Sequence, residues 1–302
     1  MNDITTAPAA ALYGSSTGVR LLRWTLAATQ RVWPGLAVRA SARLFGTPVP
    51  PRWLQRPRAW DTGWKAEPWP FEQASLTVYS PANATPRSRI ALLVHGWGGH
   101  AGQLLPLAQA LAQHGLTPVL VEMPAHGRSA GSVSNLPQFV RALEYVAARL
   151  QQQGHRLHVV VAHSLGANAA AYAAGRGLPA ERLVLIAPPA SAREYTRFFA
   201  NVFGLSESTR SALQARIEAR EGIVMPLLEP SAVGPRIRVP TLVVHDRGDR
   251  VNRFADGMAF AHAIRGARLL ATQGLGHRKI LGDPGVIGQV VLFAAPAGAV
   301  TR

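Results

Sequence analysis

The chain contains no cysteine. Disulfides, thiolate metal sites and a cysteine nucleophile are therefore excluded, and the redox compartment stays undetermined. Lysine is nearly absent: of 32 basic residues only Lys65 and Lys279 are lysines, and the others are arginines. No stretch of about 18 uninterrupted apolar residues occurs, so no membrane-spanning helix is expected. A secretory leader would need a continuous apolar core and a small-residue cleavage site, and neither is evident. Acidic residues are also scarce, 16 in all, which leaves a net charge of +16. Such an excess points at first to nucleic acid or an anionic membrane. The arginines are scattered, however, with no run of five or more, and alanine, proline and glycine are abundant. A GC-rich coding sequence yields that composition without selection for binding, so nucleic acid is not expected as a partner.

What is present suits one generous domain, or one domain with a small insert: 302 residues, 48% of them hydrophobic. Short apolar runs alternate with helical patterns. Strands are predicted at Leu76–Tyr79, Ile90–Val94, Pro118–Val121, Leu157–Ala162, Leu183–Ile186, Thr241–His245 and Arg268–Ala271. Several are almost wholly apolar, as strands covered on both faces should be. Helices are predicted over Leu104–His114, Leu136–Gln153 and Asn168–Gly175. The alternation argues for an α/β fold, a mostly parallel sheet with helices on both faces. Between Ile186 and Thr241 the rhythm changes. One helical pattern opens at Ser191, with Glu194 at capping-box spacing, and ends near Gly204. A second runs from about Ser206 to Gly222. Together they read as a small two-helix cap inserted at about 190–236.

The first 65 residues differ from the rest. From Arg20 to Arg58 there are eight arginines and no acid. Drawn as a helix, Arg20, Arg23 and Arg31 share one face, with Leu22, Leu26 and Trp33 opposite. Residues 1–65 are thus expected to form an Arg-rich helical extension, and residues 66–302 the α/β domain with its cap insert. The extension either packs on that domain or lies on a membrane surface. Prolines at 48, 50, 51 and 57 interrupt the helical pattern, and the tryptophans 53, 60, 64 and 69 lead into the first clear strand.

Ala162-His163-Ser164-Leu165-Gly166 follows an apolar strand and precedes an alanine-rich helix. It matches the nucleophile elbow G-x-S-x-G, with alanine at the first position. A sharp strand-to-helix turn lifts the serine oxygen above the sheet, and small residues two before and two after avoid backbone clashes. The helix that follows points its N-terminal dipole at a developing oxyanion. His95-Gly96-Trp97-Gly98-Gly99 follows another strand, and its glycines let the loop approach the nucleophile. By position, the backbone N–H groups of Trp97 and Leu165 are the candidate oxyanion donors, and His95 braces the loop.

With these motifs in view, residues from about Leu76 to Asp283 resemble the α/β-hydrolase superfamily, in particular its bacterial carboxylesterase and lipase-like members. Glu122-Met123-Pro124-Ala125-His126-Gly127-Arg128-Ser129 resembles that family's D-x-P-G-H-G-x-S segment, departing at Glu122 and Ala125; His126 is then a bracing residue. The resemblance implies the triad order Ser, Asp, His. It assigns the acid to Asp249 in the loop after Thr241–His245, with Asp246 as rival, and the histidine to His277 in Gly274-Leu275-Gly276-His277. The expected chemistry is hydrolysis of a small-molecule carboxylic ester through an acyl-enzyme on Ser164, with no cofactor and no metal. A thioesterase, an amidase or an acyltransferase of the same fold is the alternative, as is a peripheral lipid-binding protein with a vestigial site. His163 and the cap residues Tyr195, Phe198 and Phe199 are the expected pocket residues. The expected location is cytoplasmic, with membrane association through the N-terminal segment as a variant.

Overall fold

The computed structural model describes residues 17–49, 63–84 and 88–295. The prolines at 50, 51 and 57, the tryptophans at 53 and 60 and the arginines at 52, 56 and 58 lie outside the described residues.

Eight strands form one sheet in the order β1-β2-β4-β3-β5-β6-β7-β8. They are β1 (Trp64–Phe71), β2 (Ala74–Pro81), β3 (Arg89–Val94), β4 (Thr117–Glu122), β5 (Arg156–His163), β6 (Arg182–Ile186), β7 (Thr241–Asp246) and β8 (Arg268–Thr272). β2 runs antiparallel to both β1 and β4, and every pairing from β4 to β8 is parallel. All seven expected strands are present. β1 was not foreseen because Trp64–Phe71 holds two prolines and a charged pair, a pattern tolerated where a strand has one hydrogen-bonded neighbour only.

The central strands feed two cores by alternation. Leu92 and Val94 of β3 pack with Phe139, Leu143 and Phe260, whereas Ala91 and Leu93 pack with Leu104, Leu107 and Val290. The described helices are α1 (Thr17–Val32), α2 (Pro34–Phe45), α3 (Leu105–Gln113), α4 (Leu136–Gln152), α5 (Leu165–Gly175), α6 (Ala192–Phe203), α7 (Glu207–Glu221), α8 (Phe254–Ala263) and α9 (Pro284–Ala294), besides shorter turns. Thus α3 and α9 cover one face of the sheet, and α4, α5 and α8 the other.

The cap helices α6 and α7 begin and end where their chemistry directs. Ser191 and Ser206 accept from the backbone N–H groups of Glu194 (3.4 Å) and Thr209 (3.2 Å). Gly204 and Gly222 close the two helices with φ of 66° and 68°. Helix α1 packs on α6 and α2 on α7. The inward side of α1 is narrower than its apolar pattern suggests: Leu26 is buried among Phe199, Phe203 and Leu213, while Leu22 and Trp33 are exposed. Arg23, expected on an outward polar face, turns inward and donates to the carbonyls of Asn201 (2.7 Å) and Val202 (3.0 Å) near the end of α6.

Candidate active site

The parallel strands of a covered sheet end in loops at one edge, and that edge collects the candidate site residues. Ser164 stands between β5 and α5 with φ of 54° and ψ of −125°. L-residues rarely occupy that region, at a cost on the order of 1–3 kcal/mol. The surroundings hold it there: its N–H donates to Ile186 O (2.8 Å), and its carbonyl accepts from Ala167 N (2.8 Å). The flanking glycines are required by contact distance. A Cβ on Gly96 would stand 2.6 Å from Ser164 Cβ, and one on Gly166 would stand 2.4 Å from His95 O.

Asp249 lies in the loop after β7 and His277 in the helical turn Gly276–Lys279 after β8. His277 Nδ1 is 2.7 Å from Asp249 Oδ2. The other carboxylate oxygen accepts from the N–H groups of Val251 (2.7 Å) and Asn252 (3.0 Å). His245, also buried, brings Nε2 to 3.5 Å from Asp249 Oδ2 and 3.2 Å from Asn252 O. Burial alone would raise the Asp249 carboxyl pKa. Its contacts with His245 and His277 outweigh burial and hold the group well below the usual carboxylate range. Asp246 does not meet the histidine ring. It accepts from Gly248 N (2.9 Å), Thr272 Oγ1 (2.8 Å) and Leu275 N (3.0 Å), and so fastens the loop that carries His277.

Three further buried histidines act as struts. His95 Nε2 accepts from Met123 N (3.1 Å) and its Nδ1–H donates to Gly96 O (2.7 Å), which ties the His-Gly loop to the end of β4. His126 Nδ1–H donates to Pro124 O (2.9 Å). The His163 ring lies tilted against that of His277 with centroids 4.6 Å apart, and its Nε2–H donates to His277 O (2.9 Å). Burial lowers the pKa of all three, that of His126 to about 4, so each is a neutral imidazole at pH 7.

One residue was not foreseen from the sequence. Asn252 is buried, and its Nδ2 lies 2.7 Å from Ala187 O and 3.4 Å from Ser164 Oγ. Its Oδ1 accepts from the Tyr195 hydroxyl on α6. Nothing in a single amide after Val251 announces that role. The position follows from the tight turn in which Asp249 bonds the next residues' N–H groups.

Beside Ser164 lies a cavity of about 120 Å³ lined chiefly by apolar side chains, among them Trp97, Leu165, Ile217, Met225, Leu228 and, from α2, Phe45. His163 and Tyr195 line it. Phe198 and Phe199 do not, which corrects the expectation. Helix α6 turns Ala192 and Tyr195 toward the cavity, while Phe199 points with Phe203 into the cap's own core and Phe198 meets Tyr195 edge to face. The backbone of Leu165 opens α5, where the first N–H groups of a helix lack an intrahelical acceptor. Among the described residues, no group of three His, Asp or Glu side chains is placed to hold a metal ion.

Residues 85–225, just under half of the chain, match the Hydrolase_4 family, described as serine aminopeptidase, S33. Several solved structures share the architecture. The Pyrococcus furiosus esterase Pf2001 superposes with a TM-score of 0.61 at 18% identity, covering 82% of this chain and 96% of that one. A membrane phospholipase A, described as a bacterial virulence factor, gives 0.57 at 17%, covering 91% and 96%. Est1E from Butyrivibrio proteoclasticus with ferulic acid bound gives 0.57 at 16%, covering 76% and 96%. The chain has the α/β-hydrolase fold. No curated protein matches it. The matched segment ends before Asp249 and His277, so the match itself does not reach them and their geometry carries their place in the site. Among the described residues no helix is long and apolar enough to cross a membrane.

Proposed function

We propose that this α/β-hydrolase cleaves a carboxylic ester with an uncharged, apolar acyl part, using Ser164 as nucleophile. The observation that carries the reading is the 2.7 Å contact between His277 Nδ1 and Asp249, made beside a serine on a strained elbow. The contact at Nδ1 fixes the tautomer, which leaves His277 Nε2 to take the serine proton. Ser164 Oγ then bonds the ester carbon, and the backbone N–H groups of Trp97 and Leu165 hold the oxyanion. The carbon–alkoxide bond breaks, the alcohol leaves with the proton carried by His277, and water releases the acid by the same route. Asn252, in the loop after β7, is a positioning residue beside Ser164 Oγ.

The pocket favours esters over the aminopeptidase substrates suggested by the family description. An aminopeptidase needs a carboxylate to receive the substrate's ammonium group, since a buried charge without a partner is costly. No Asp or Glu lines this pocket among the described residues, and the one charged lining residue is Arg278, of the wrong sign. The esterase and phospholipase names of the structural neighbours agree with the preference. The thioesterase, amidase and acyltransferase alternatives share every step up to the acyl-enzyme. A matched panel of p-nitrophenyl esters and aminoacyl p-nitroanilides tests the reading. The esters should turn over with kcat/KM at least about a hundredfold above the anilides. Preference for the anilides would contradict an ester pocket.

A further inference from the structure

Helix α1 is fastened to the cap along one side. Leu26 is buried there, Arg23 donates to two carbonyls at the end of α6, and Gln30 Nε2 donates to Gly204 O (2.9 Å) while its Oε1 accepts from Ser206 N (2.8 Å). A helix anchored in this way should show polar residues on its other side. Instead, Leu21, Trp24 and Val32 are 67%, 76% and 63% exposed. At 100° per residue these three fall, with Ala28, on a single stripe opposite Leu26. The stripe continues around the corner into α2 through Trp33, 64% exposed, and Leu36, also exposed. Scattered exposed apolar residues are ordinary, but two tryptophans and three large aliphatics on one surface are not.

The charge around this stripe has one sign. Arg20, Arg31, Arg39 and Arg43 are all exposed, and no Asp or Glu occurs from residue 17 to residue 49. A two-fold dimer through this face would set the same arginines against each other, because such an interface brings one patch onto its own copy. A surface that offers apolar depth beneath a layer of negative charge satisfies both features at once. Tryptophan and arginine are the side chains suited to that boundary, the indole lying at headgroup level and the guanidinium pairing with phosphate.

We propose that the outward face of α1 and the α1–α2 corner seats the protein on the surface of an anionic lipid bilayer. Trp24, Trp33 and Leu21 enter the headgroup boundary, and Arg20, Arg31, Arg39 and Arg43 face the lipid phosphates. The same helical pair lays Phe45 against Phe199 of the cap, with ring centroids 5.3 Å apart, and into the wall of the Ser164 pocket. Docking therefore sets the bilayer against the element that shapes substrate access.

Flotation of the full chain with vesicles tests this independently of the catalytic reading. Phosphatidylcholine vesicles are compared with vesicles containing a quarter phosphatidylglycerol, each at low and high salt. The wild type should float with the anionic vesicles at low salt and be released by high salt. Joint Trp24→Ser and Trp33→Ser replacement should weaken binding about tenfold or more. Joint Arg31→Gln and Arg39→Gln replacement should reduce the preference for anionic over neutral vesicles. Both variants alter exposed side chains only, so their melting temperatures and their labelling by a serine-directed probe should match the wild type. The proposal is overturned if the wild type ignores anionic vesicles at low salt, or if both variants bind unchanged. It is also overturned if sedimentation shows a dimer that Trp24→Ser dissolves while vesicles are ignored.

Discussion

Asn252, buried in the loop after β7, brings its Nδ2 to 3.4 Å from the Ser164 Oγ. The same side chain accepts from the Tyr195 hydroxyl of the cap and donates to Ala187 O, so Ser164 is linked to cap and sheet through one amide. Asn252→Ala should lower kcat about ten- to a hundredfold, less than loss of a dedicated oxyanion donor. KM should change little, since the amide acts on the serine rather than on bound ester. Tyr195→Phe should show the same kcat effect in weaker form. An unchanged kcat in Asn252→Ala, with folding intact, would make the amide structural only.

The two aspartates of the loop after β7 have separable duties. Asp249→Asn removes the carboxylate beside His277 while keeping its shape, and should lower kcat by about 10²–10⁴. Asp246→Asn should cost about tenfold and lower the melting temperature, because an amide N–H would then face the donors Thr272 and Leu275. Parallel assays on one activated ester decide between them. The assignment of the acid fails if Asp246→Asn is the more crippled variant.

The buried histidines make stability depend on pH. His95, His126 and His163 have depressed pKa values in the folded protein, whereas in the unfolded chain they titrate near 6.5. Unfolding at mildly acid pH therefore takes up protons. Stability is fully present above about 6.5 and falls as the pH drops from there toward about 4, the folded value for His126. The depressed Asp249 pKa acts in the same direction at lower pH, its contribution being lost as pH falls below the ordinary carboxylate value. Urea unfolding at pH 7.5, 6 and 5 should give a steadily falling free energy, with a shallower slope for His126→Gln. Stability independent of pH across that range would contradict neutral buried histidines.

Much of this arrangement was legible before the fold. Strand alternation and the elbow located Ser164, because apolar runs and small residues around a turn report backbone constraints that act locally. The edge strand β1 was hidden by Pro68 and Pro70, whose missing N–H groups matter less where a strand pairs on one side. Phe199 and Asn252 were misjudged or missed for a shared reason. The direction of a side chain on a helix or within a tight turn depends on what packs behind it, and local patterns do not contain that. Arg23 makes the same point, since its turn toward the carbonyls of α6 depends on a helix 178 residues away.

The central claim is that Ser164 is an activated nucleophile, and covalent labelling tests it most directly. A fluorophosphonate should add one adduct to the folded protein, which peptide mass spectrometry should place on Ser164. Ser164→Ala should abolish the adduct and lower kcat by roughly 10⁴–10⁶. His277→Ala should slow labelling steeply with the fold retained. An adduct on another residue, or none on folded wild-type protein, would contradict the account.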